Sequence, residues 1–237
     1  MANRYFDNSQ LAEAIRIASG DTKGVSHINK FGFGGATTNP YTVWDGDSNY
    51  PYPSTATTAT VTTSLADSGF QVLVEGLDAN YVSITETITG TSSGATGTEE
   101  FLRVFRASLT NQIGDSDNNS DITIRVDNKD AAIITAGEAQ TLMAVYTVPA
   151  NKTAYVKHLH AAPTKKDNDT IITLKARPFG GVFNTKGKFA SSGDTIHYDY
   201  HVPIKFEEKT DIEIKAENQA ASGSISALFD LILVDDF

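Results

Sequence analysis

A chain of 237 residues, 40% hydrophobic and 20% charged, is composed like one large or two small globular units and unlike a disordered segment. Its formal net charge of −10 disfavours direct nucleic-acid binding, because nothing offsets phosphate repulsion. The absence of cysteine excludes disulfides, thiolate metal sites and a cysteine nucleophile, and no apolar run reaches the ~18 residues of a membrane span.

Residues 1–20 lack the apolar core of a signal peptide, so the expectation is a soluble protein without a membrane partner. Ser9–Ser19 is the one helix the pattern predicts: Ser9 caps it, Leu11, Ile15 and Ala18 share a face, and Gly20 ends it. So short a helix needs a surface to dock on. From Val25 to Pro53 the chain carries glycines at 32, 34 and 35, prolines at 40, 51 and 53, and the aromatics Phe31, Phe33, Tyr41, Trp44, Tyr50 and Tyr52. Such punctuation denies long regular structure while the rings demand burial. Two readings meet both constraints: an arm packed on a neighbouring surface, or an irregular layer over the chain's own sheet.

The Thr/Ala tract Ser54–Ser64 suits an edge strand. Strands are then predicted over Phe70–Glu75, Tyr81–Thr89, Glu100–Leu109 and Asp121–Val126, with polar turns between, including the Gly90–Gly97 loop. Asn128–Glu138 reads as the joint between two units. Thr141–Val148 and Thr153–Ala161 read as a hairpin closed by Pro149-Ala150-Asn151-Lys152, and Ile171–Arg177 follows. From Ile196 to Phe206 the even positions are apolar and the odd ones polar, which predicts Tyr198, Tyr200 and Ile204 inside and His197, Asp199 and His201 outside. Asp211–Glu217 repeats the pattern, with Ile212, Ile214 and Ala216 inward and charges outward. Ser224–Val234 is apolar on both faces and belongs in mid-sheet. The predicted fold is all-β: an antiparallel β-sandwich or jelly-roll-like chain of two sandwich units. Its divisions are an N-terminal arm with one short helix (residues 1–53), a first sandwich (54–135) and a second (136–237).

Catalytic patterns are missing from the sequence. Gly32-Phe33-Gly34-Gly35 lacks the strand-before, helix-after setting of a phosphate loop, and no nucleophile elbow occurs. Two histidine pairs, His158 with His160 and His197 with His201, have zinc-type donors, but strand spacing alone does not converge them, and they are expected as exposed strand residues. The run Asp115–Asp121 offers oxygen donors for calcium but departs from the EF-hand pattern at Ser120 and Val126, and reads as a solvated acidic loop. The expectation is therefore no catalytic residue, no cofactor and no metal. Lys186 and Lys188 near Arg177 form a basic spot suited to a protein contact.

Several segments resemble virion structural proteins of tailed phages, including marine and cyanobacterial ones: Tyr41–Asp47, Tyr50–Pro53, Gly76–Tyr81, Tyr146–Tyr155, Arg177–Phe183 and Phe229–Val234. That resemblance implies a non-catalytic role in assembly within the virion, made in the host cytoplasm. Its first form is a capsid decoration (cement) protein, a homotrimer on the capsid surface bound to the major capsid protein. Phe31, Phe33, Tyr41, Trp44, Tyr50, Tyr52, Arg177, Phe179 and Phe183 are then the candidate partner-binding residues. The alternative is a tail-associated host-recognition or carbohydrate-binding module with Trp44 and Tyr50 stacking on sugar.

Overall fold

The computed structural model describes residues 10–63, 69–111, 118–164, 169–219 and 223–236. In chain order it forms helix α1 (Gln10–Ala18), then β1 (Val25–Ala36), β2 (Tyr41–Thr42), β3 (Thr57–Thr63), β4 (Gln71–Leu77), β5 (Ser83–Thr89), β6 (Ala95–Phe101) and β7 (Arg103–Leu109). Next come β8 (Ile122–Val126), β9 (Lys129–Ile134), β10 (Val145–Thr147), β11 (Lys152–Pro163), β12 (Thr170–Arg177), β13 (Asn184–Ser191), β14 (Ile196–Phe206), β15 (Asp211–Asn218) and β16 (Gly223–Asp235). Among the described residues every strand pairing is antiparallel. The predicted all-β, sandwich-like architecture is what the chain adopts.

Among the described residues, four sheets enclose two cores. Sheets β1-β16-β11-β14 and β10-β15-β12-β13 (with β2 added on β15) face each other across Val156, Leu159, Leu174, Ile214, Phe229 and Leu231. Sheets β6-β3-β8-β9 and β5-β4-β7 enclose Phe70, Val72, Val61, Ile124, Phe101 and Ile134. Apolar residues at alternate strand positions supply both cores, the usual solution for stacked antiparallel sheets.

Helix α1 ends as its sequence dictates: Gly20 adopts φ +74° and the Asp21 amide donates to the Arg16 carbonyl. Ser9, the expected cap, and the side chain of Leu11 lie outside the described residues.

Residues 25–53 are not a separable arm. β1 pairs with β16 along its whole length, from Val25↔Val234 to Ala36↔Gly223. Its glycines serve close approach rather than turns. A Cβ on Gly32 would stand 2.3 Å from the Val43 carbonyl oxygen and 2.5 Å from the Ala144 nitrogen, so only glycine lets the 43–44 and 143–144 segments cross there.

Other expectations shift with the pairing. The Thr/Ala tract becomes β3, which lies inside its sheet, because β6 forms partly from the supposed Gly90–Gly97 loop and covers its edge. Residues 100–109 are not one strand. Leu102 breaks them, its amide donating to the Leu77 carbonyl, and the chain passes there from one sheet of the first unit to the other. The supposed joint at 128–138 is β9, joined to β8 by a tight hairpin in which Asp127 and Asn128 hold φ of 54° and 55°. β10 and β11 do not form a hairpin: β10 pairs with β15 and β11 with β14 and β16. Asn151 does take the left-handed conformation its turn requires (φ 58°), but that turn carries the chain from one sheet across to the other. β16 sits in mid-sheet as its two apolar faces imply.

On β14 the face assignment holds in part. His197, Asp199 and His201 are exposed, Tyr200 and Ile204 are half-buried against the core, but Tyr198 is 44% exposed. β14 is an edge strand, and what faces Tyr198 is Phe189 of β13, a thin cover.

Candidate functional site

A buried polar cluster joins the two units. Asp211, at the start of β15, accepts from Arg103 Nε (2.9 Å) of β7, from Arg177 Nε (2.9 Å) of β12 and from Thr147 Oγ1 (2.7 Å) of β10. Arg103 also donates through Nη1 to the Pro53 and Leu102 carbonyls. The Arg103 and Asp211 side chains are 8% and 4% exposed. Burial pulls the Arg103 pKa down, but the bonds and charge of Asp211 outweigh it and the net shift is upward.

Aromatic rings wrap this cluster. Trp44, Tyr50, Tyr52 and Phe183 form a chain with successive centroids 5.2, 4.8 and 5.2 Å apart. The Arg177 guanidinium lies 4.7 Å from both the Tyr52 and the Phe183 ring centres. One face of β15, expected wet, is thereby covered. Glu213 is buried and accepts from Thr42 Oγ1 at 2.8 Å; burial raises its pKa, and Lys215 and Thr42 partly offset that. An alternating charged face gives no hint in sequence that aromatics from residues 44–52, far back in the chain, will cover it.

The nine candidate partner residues therefore separate. Trp44 and Tyr50 are core residues, 2% and 4% exposed, and the Tyr50 hydroxyl donates to the Val104 carbonyl (2.7 Å). Burial leaves neither ring a face for a sugar. Tyr52, Phe183 and Arg177 build the joint, and Tyr41 pairs with β15. Phe31 (half-buried) and Phe33 (42% exposed) point to the outer face of β1. Phe179 is 67% exposed, at the tip of the β12–β13 turn, where Gly180 holds φ +70°. Val182 in the same turn is 72% exposed and Val82 50%. The Tyr81 ring meets Phe179 edge-on at 5.7 Å, and Lys209 Nζ lies 5.5 Å from the Phe179 ring centre. An apolar tip thus stands beside the first unit at one end of the joint.

The histidine pairs divide differently from the sequence spacing. His158 and His197 come together on one outer sheet face, while His201 is exposed further along β14. Of the Asp/Asn loop, residues 115–117 lie outside the described residues. Asn118 is buried and donates to the Ser120, Ile134 and Thr135 carbonyls, and Asp121 accepts from the Ala136 amide, so these groups serve the loop's own structure.

One buried and one half-buried charge, Lys30 and Asp45, make a pH signature. Lys30 is 3% exposed and donates to the Phe105 carbonyl; burial, then the Arg106 charge, lowers its pKa to about 7 against a partial opposing pull from Glu75. Burial raises the Asp45 pKa to about 7, although the Leu142 amide and Thr135 hydroxyl donate to it. Between about pH 3.8 and 7 the folded chain holds a proton on Asp45 that the unfolded chain releases, so this group makes stability fall as pH rises. Between about 7 and 10.5 the unfolded chain holds a proton that Lys30 lacks when folded, so stability rises with pH. Urea midpoints taken from pH 4 to 10 should therefore show Asp45→Asn losing the falling contribution and Lys30→Met losing the rising one. An unchanged acid-side slope in Asp45→Asn would show that Asp45 titrates normally.

No protein-family model matches this chain, and no curated protein does. Among solved structures it is similar to chains of infectious bursal disease virus. For the Gt strain the identity is 10%, over 90% of this chain and 73% of that one, with a TM-score of 0.25. For the Gx strain the values are 11%, 88%, 70% and 0.24, and for the virus-derived T=1 particles 9%, 90%, 70% and 0.24. The alignments are long but loose in space, so the architecture rests on the sheets themselves.

Proposed function

We propose that this chain is a non-catalytic virion structural protein, specifically a decoration (cement) protein that docks on the major capsid protein of a phage head as a homotrimer. The observation that carries it is the apolar tip: Phe179 and Val182 stand 67% and 72% exposed on one turn, with the Phe179 ring against Tyr81, on a chain of net charge −10. Exposed apolar side chains grouped on one turn mark a contact surface, and rigid β-sandwiches hold such a turn in place at little entropic cost. The tailed-phage resemblance includes Arg177–Phe183 and supports the same partner. The acidic remainder suits a capsid-surface location with no nucleic-acid or membrane contact. Host recognition from a tail is the competing reading, without Trp44 and Tyr50 as sugar platforms.

The test is co-sedimentation of purified protein with particles, alongside its mass in solution. Phe179→Ser with Val182→Ser should leave the fold intact and abolish particle association, because both side chains are mostly exposed and lie outside the two cores. Wild-type association by that variant would place the attachment surface elsewhere. A copy number in particles far below that of the shell protein would favour the tail.

A further inference from the structure

Four of the chain's five histidines, His27, His158, His160 and His197, lie on the outer face of the β1-β16-β11-β14 sheet. A bulge puts two of them there. Val156 pairs with Leu231 and His158 with Asp230, so Lys157 is an extra residue in β11. Ala154 and Val156 are buried before it and Leu159 and Ala161 after it. The inward parity therefore switches from even to odd, and His158 and His160, which strict alternation would bury, emerge on the surface. Against β14, Val156 pairs with Ile204 but His158 with Asp199, leaving residues 200–203 of the edge strand unpaired with β11.

This register sets His158 opposite Asp199 and His160 opposite His197. His158 Nδ1 is 2.6 Å from Asp199 Oδ1, and His197 Nε2 is 3.5 Å from Asp199 Oδ2. The His158 and His197 rings are 4.4 Å apart, at 72°. One ligand atom from each of the three residues falls within 4.8 Å of the others. Ligands held ~2.0–2.2 Å from a tetrahedral zinc ion stand roughly 3.4 Å apart, a spacing these side chains reach by modest rotation at an exposed edge.

We propose that His158, His197 and Asp199 form a binding site for a divalent transition-metal ion of zinc type. Two imidazole nitrogens and one carboxylate oxygen match that ion's preference, with a fourth position open to water or to a further donor. Borderline imidazole donors disfavour calcium or magnesium. An ion there clamps β14 to β11 beside the interrupted pairing, where the sheet edge has lost backbone bonds. The site is independent of the apolar tip on the β12–β13 turn.

The full chain should be titrated with zinc chloride at neutral pH in a non-coordinating buffer against a competing chromophoric chelator, with cobalt(II) absorption as a second probe. Saturable binding is expected. His158→Ala, His197→Ala and Asp199→Asn should each weaken it by about tenfold or more, with His27→Ala and His201→Ala unchanged. On the unmodified chain, long-range 15N–1H spectra should show zinc moving the ring nitrogens of His158 and His197, a readout that survives any failure of a variant to fold. Absence of saturable binding, binding that persists undiminished in His158→Ala/His197→Ala, or zinc shifts confined to other histidines would overturn the site.

Discussion

Replacing Asp211 by alanine should destabilise the protein by about 3–5 kcal/mol, the cost of removing one partner from a buried ion pair. Asp211 is the shared acceptor for Arg103, Arg177 and Thr147. Its loss strands Arg103, whose side chain is 8% exposed and has no route to water without opening the joint. Arg177, 30% exposed, can turn outward, so Arg177→Ala should cost less. The diagnostic is the double variant Arg103→Met/Asp211→Ala: with the charge itself removed, much of the loss should return. Urea denaturation of the three variants reads this directly. A double variant as unstable as the sum of the singles would show that packing, not an unpaired charge, is what Asp211 protects.

Deleting residues 1–53 should abolish cooperative folding rather than detach an accessory arm. The deletion exposes β16 along the full length of its pairing with β1, uncovering a Leu/Ile/Val-rich edge. It also removes Ala36 and Val43 from one core and Trp44 and Tyr50 from the other. Emptying one large aromatic core position costs about 3–5 kcal/mol, and a domain's whole stability is about 5–15 kcal/mol. Several such losses exceed it. The truncated chain is therefore expected to aggregate or to melt without a transition, as followed by circular dichroism and light scattering. A monodisperse truncated protein with a sharp melt would restore the separable arm.

Local signals in the chain were enough to set the class of structure and much of its alternation. Period-2 runs such as Asp211–Glu217 must bury Ile212, Ile214 and Ala216, and those are 0–1% exposed. The twofold apolar character of Ser224–Val234 required a mid-sheet strand, and turn chemistry located Asn151 and Gly20, because these signals are local. Tertiary structure decided everything that depends on which strand lies beside which. Gly32 and Gly34 resembled punctuation in sequence but serve a strand that other backbone crosses at close range. Asp211 and Glu213 resembled a wet face until residues 41–53 and β7 covered it. Nor does the His158–His197–Asp199 convergence follow from spacing. It requires the one-residue bulge at Lys157 to reverse the inward face of β11, and a bulge is set by pairing partners that lie about 40–70 residues away in the chain.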